Sequence, residues 1–174
     1  MPPSSSSAAL PFANAVLRIL IVANWLFGAA ILVLLVAMPT ERWIMISLAL
    51  TPGPDADRVV LGLRMVAVVG LLAIPLNHLV LTRLRAMIET VRSGDPFVPA
   101  NATRLHAIAW VLLVLQLFSV VVGAIGRAIS SPAHPIHLDA GFSVAGWLAV
   151  LLTFVLARVF AQGTLMREEL EGTV

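Results

Sequence analysis

Residues 19–38 read ILIVANWLFGAAILVLLVAM, and no charged side chain occurs between Arg18 and Glu41. At about 1.5 Å of rise per residue this run reaches ~30 Å as a helix, the thickness of a bilayer's hydrocarbon layer. A signal peptide would carry a shorter apolar region, about 7–15 residues, and end at a small-x-small site. This run is longer and passes into Met38-Pro39-Thr40, so it reads as a retained span.

Three further runs repeat the pattern. Val59–Thr82 holds Arg64 near its start and Pro75 inside; Ala107–Gly126 is clean between His106 and Arg127; Ala140–Ala157 lies between Asp139 and Arg158 and continues toward Gly163. None shows the polar–apolar alternation of barrel strands. The expected fold is all-α: an integral membrane bundle of four transmembrane helices, with spans at about 17–38, 59–82, 106–127 and 140–162. These form one domain, 12–174, behind a Pro- and Ser-rich disordered lead, 1–11.

Composition agrees. Hydrophobic residues make up 60 % of the chain and charged ones 11 %, against roughly 25 % charged in soluble domains. A small domain has too little interior to hide such a surplus, so lipid must cover it. All 11 basic residues are arginines, scattered rather than clustered, which argues against direct nucleic-acid binding. The absence of cysteine excludes disulfides, thiolate catalysis and cysteine-ligated metals.

Arginines set the orientation. The segment 83–105 carries Arg83, Arg85, Arg92 and Arg104 against Glu89 and Asp95, while 128–139 is poor in basic residues. By the positive-inside rule that segment and both termini are cytoplasmic, and 39–58 and 128–139 lie outside.

Small residues suggest packing faces. Gly141, Ala145, Ala149, Thr153 and Ala157 recur every four residues in the fourth span, a stripe that would admit a neighbouring helix. In the third, Ala109, Leu112, Gln116, Ser119, Gly123 and Gly126 alternate spacings of three and four, a heptad-type seam with Gln116 turned inward. They serve either packing within one chain, the favoured reading, or a dimer; a homo-oligomer is possible but not indicated.

Few residues offer chemistry. Pro75 withholds a hydrogen bond from the Leu71 carbonyl, and Asn77 and His78 follow it. Asn24, Asn77, His78 and Thr153 lie at similar depth and form an expected polar cluster. Intramembrane polar groups raise a ligand or proton site; the blander and preferred reading is that they satisfy backbone groups around the proline. Arg64 either snorkels to the outer boundary or pairs with Asp55, Asp57 or Asp139. His134, His137 and Asp139 are metal-ligand types, but their spacing matches no metal motif and a fourth ligand is missing. No cofactor is implied, and no nucleophile–base pair points to an enzyme.

The connection 83–105 is the most distinctive stretch. The second helix is expected to continue to Arg92 with Arg85 and Glu89 at i,i+4 spacing, then stop at Gly94 in the C′ position and Pro96. Asn101 reads as the N-cap of the next helix, and Phe97 and Val98 as cover for the helix ends. Arg92, Gly94, Asp95, Pro96, Phe97, Asn101 and Arg104 form a candidate docking loop for a soluble partner, against the blander and preferred reading of a structural elbow between two helices.

The run from Glu89 to Val98, with Asn101 and Arg104-Leu105 after it, resembles the signature loop of the family called domain of unknown function 2975. Gly163–Leu170 and the ending Gly172-Thr173-Val174 are similar to that family's C-terminus, and Thr103 departs from its usual charged residue. The resemblance spans roughly residues 15–174. It implies a bacterial four-span inner-membrane protein, often encoded beside a small helix-turn-helix transcription regulator, and assigns no catalytic or binding residue. The expected role is a non-enzymatic sensor or membrane anchor for such a regulator, docking on 83–104 and 163–174 beside the acidic Glu168-Glu169-x-Glu171. The alternative is a small transporter or efflux component using the Asn24–His78–Thr153 region.

Overall fold

A computed structural model of the chain describes residues 6–37, 54–131 and 139–171. The described residues form four long helices: α1 (Ser6–Ala37), α2 (Pro54–Arg92), α3 (Pro99–Ile129) and α4 (Val144–Glu171). All four are long and apolar enough to cross a membrane, and the described residues include no strand. The protein is a multi-pass membrane protein.

Helix ends and lipid boundaries do not coincide. α1 begins at Ser6, so residues 6–11 are helical rather than part of a disordered lead. Pro11 forgoes only the bond to the Ser7 carbonyl, and the turns after it proceed normally. α2 runs unbroken through Pro75 to Arg92. α4 starts at Val144, later than the apolar run at Ala140, because Gly141 adopts φ +138° and ends regular backbone there.

The helices pack in chain order: α1 on α2, α2 on α3, α3 on α4. Among the described residues α1 meets neither α3 nor α4, and α2 does not meet α4. Lipid tails are as apolar as Leu, so no hydrophobic drive closes the row, and association depends on close contact at particular seams. Only 6 % of α1's most apolar window is buried; Ile19, Leu26, Phe27 and Val33 all face outward. Such a surface is stable only against lipid.

Each seam has a glycine in close contact with the facing helix or the segment that leads into it. Gly28 of α1 lies against Ile74 of α2, and Gly62 of α2 against Ile129 of α3. On α3 the expected seam holds: Ala109, Gly123 and Gly126 are buried and Leu112, Gln116 and Ser119 half-buried. A side chain at Gly123 would place its Cβ 2.6 Å from the Ala140 carbonyl oxygen. Ser119 fastens that crossing, its hydroxyl donating to the Gly141 carbonyl at 3.1 Å and accepting from the Gly141 amide at 3.2 Å.

On α4 the face toward α3 differs from the expected stripe. Gly146 abuts Gln116, and Val150, Ala157 and Thr164 are buried, whereas Ala145 and Ala149 are exposed and Gly141 precedes the helix. The reason is geometric. A strict four-residue repeat drifts about 40° per step on a helix of ~3.6 residues per turn, so it cannot hold one face over four steps. The sequence Gly146, Val150, Thr153, Ala157, Thr164 follows the three-and-four spacing that can.

Candidate functional site

The hairpin between α2 and α3 is held by a dense set of hydrogen bonds. α2 ends in a Schellman turn: the Gly94 amide donates to Val91 at 3.1 Å and the Asp95 amide to Thr90 at 3.0 Å. Gly94 takes φ +85°, where a Cβ would be strained. Residues 95–98 then lead into α3, which opens with Val98 as N-cap and Pro99 at its first position.

Asn101 therefore is not the N-cap. It sits one turn later with no exposed surface. Its Nδ2 donates to Thr90 Oγ1 at 2.6 Å and to the Pro96 carbonyl at 2.9 Å, and its Oδ1 accepts from Arg104 Nη1 at 2.8 Å. One side chain thus joins the end of α2, the turn and the start of α3. Arg85 departs from expectation as well. Its Nε donates to Asn14 Oδ1 of α1 at 3.0 Å rather than pairing with Glu89.

The turn is also joined to α4. Asp95 forms an ion pair with Arg167. Phe97 packs its ring on Phe160, centroids 5.4 Å apart, and on Gly163, where a Cβ would meet it at 3.1 Å. Arg92 stays exposed. The hairpin and the last turns of α4 thus form one continuous surface, with Glu168 and Glu169 exposed beside it.

The intramembrane polar residues only partly converge. Asn24 Nδ2 donates to the Ile74 carbonyl at 3.0 Å, next to Pro75. His78 Nδ1 accepts from Trp25 Nε1 at 3.1 Å, their rings edge-to-face. Both contacts bind α1 to α2. Asn77 is half-buried beside them. Thr153 is elsewhere: its hydroxyl donates to its own helix at Ala149, and α4 touches neither α1 nor α2. Arg64, Asp57 and Asp139 are exposed.

A second histidine–tryptophan pair lies on α3. Trp110 Nε1 donates to His106 Nε2 at 3.1 Å, and Phe154 of α4 stands edge-on to both rings. Its i,i+4 spacing was present in the sequence, whereas Trp25–His78 and Asp95–Arg167 depend on how separate helices register. His134 and His137 lie outside the described residues, among which no group of three or more His, Cys, Asp or Glu occurs.

The family described as "Protein of unknown function (DUF2975)" matches residues 38–174. No curated protein and no solved structure matches the chain. The chain belongs to the DUF2975 family.

Proposed function

We propose that this DUF2975 member is a non-enzymatic protein of the bacterial inner membrane that holds or signals to a small cytoplasmic transcription regulator. The hairpin, the end of α4 and both termini face the cytoplasm, as the arginine distribution argues. The observation that carries the reading is the joining of hairpin to α4. The two segments singled out as docking surfaces, 83–104 and 163–174, are separate in sequence but meet through Asp95–Arg167 and the packing of Phe97 on Gly163. A buried, fully bonded Asn101 beneath them makes a preorganised platform, which lowers the ordering cost of binding.

The transporter alternative loses its motive. Asn24 and His78 are engaged in helix–helix contacts and Thr153 in its own backbone.

The test exploits the ion pair. Both partners are about two-fifths exposed, so the pair contributes less than about 1 kcal/mol and its loss leaves the fold intact. Affinity capture of the solubilised protein from its own host recovers a small DNA-binding regulator. Asp95→Arg and Arg167→Asp each abolish capture, and the double exchange restores it. Capture of no regulator by the parent protein, or equal capture by all variants, contradicts the proposal.

A further inference from the structure

Between α3 and α4 lies an open groove of about 420 Å³, within the size range of small-molecule sites. Thr103 and His106 of α3 and Phe154, Ala157, Arg158 and Ala161 of α4 line it. Most of that lining is apolar, yet His106 and Arg158 stand in it. These two residues also bound the apolar runs 107–126 and 140–157. The groove therefore straddles the depth at which hydrocarbon gives way to headgroups.

We propose that this groove holds one anionic phospholipid, its phosphate between Arg158 and His106 and an acyl chain along Phe154 and Ala157.

Charge favours an anion. Arg158 is exposed and makes no hydrogen bond or ion pair among the described residues. The nearest acidic side chain further along α4, Glu168, is ten residues on, about 15 Å along the axis. His106 supplies a donor for the same task. Its Nε2 accepts the Trp110 indole N–H, so in the neutral ring Nδ1 carries the proton and is a donor. The edge-to-face contacts of His106, Trp110 and Phe154 hold that wall rigid, with ring centroids 5.4–6.3 Å apart.

Shape favours a lipid over a free anion. A soluble phosphate would leave the apolar length of the groove unfilled, whereas a phospholipid arriving from the bilayer supplies headgroup and chain together. Basic pockets between transmembrane helices at this level suit such headgroups.

The experiment is native mass spectrometry of the full chain in detergent doped with equal amounts of phosphatidylglycerol and phosphatidylcholine. The parent protein retains one phosphatidylglycerol per chain in preference to phosphatidylcholine. Arg158→Gln reduces that retention about fivefold, the effect of one basic side chain near an anionic headgroup, and Arg158→Lys preserves most of it. Ala161→Phe, which fills the groove, lowers retention of both lipids. Arg18→Gln, exposed on α1 at the edge of its apolar run, changes nothing. Helix content by circular dichroism stays at the parent value in each variant. Equal retention of the two lipids, an unchanged Arg158→Gln, or the same loss in Arg18→Gln overturns the proposal.

Discussion

Asn101 has no exposed surface, and its amide is matched on both sides: two donated hydrogen bonds and one accepted. Removing it strands the Pro96 carbonyl and Arg104 together, so Asn101→Ala should destabilise the protein by about 2 kcal/mol. Thermal unfolding in detergent measures this, with Thr103→Ala, exposed and weakly bonded at 3.3 Å, as the control expected to change little. The sequence marked Asn101 as special but gave it another task. A polar residue before an apolar run resembles a cap, and only the placement of Pro99 at the first helical position moves Asn101 inside. His78 and His106 were similarly visible as polar residues near lipid. Their indole partners were less so, because Trp25 reaches His78 only through the register of α1 on α2.

Helix identity was plain in the charge-free runs, because no other structure satisfies a backbone in hydrocarbon. Helix ends were harder to place. Charges mark where lipid stops, and a helix of good formers continues beyond: the 39 residues of α2 extend about 58 Å, nearly twice the hydrocarbon thickness. The packing face of α4 was misread because small residues every four positions look like a stripe on paper yet spiral around a real helix. The seam of α3, with its mixed spacing, was read correctly down to Gly123. That glycine lies against Ala140 and Gly141 of the segment entering α4. Gly123→Ala forces residues 140–141 outward and should cost about 1–3 kcal/mol, as overpacking does. Loss of thermal stability with unchanged helix content would be the signature; full stability would show that the crossing tolerates a methyl group.

Among the described residues the molecule is a row of four antiparallel helices rather than a closed ring, with lipid covering the outward faces. The Gly94–Val98 turn is fastened to α4 by Asp95 and Phe97. The proposed function requires that surface to face the cytoplasm. A chain with an even number of spans places this hairpin and the end of α4 on one side and the α3–α4 connection on the other. Because the protein has no cysteine, single substitutions report sidedness without background. A membrane-impermeant maleimide applied to intact spheroplasts should label Ser130→Cys and leave Ser93→Cys untouched until the membrane is permeabilised. Labelling of Ser93→Cys from outside, or of both positions equally, would contradict the four-span arrangement with an inward-facing platform.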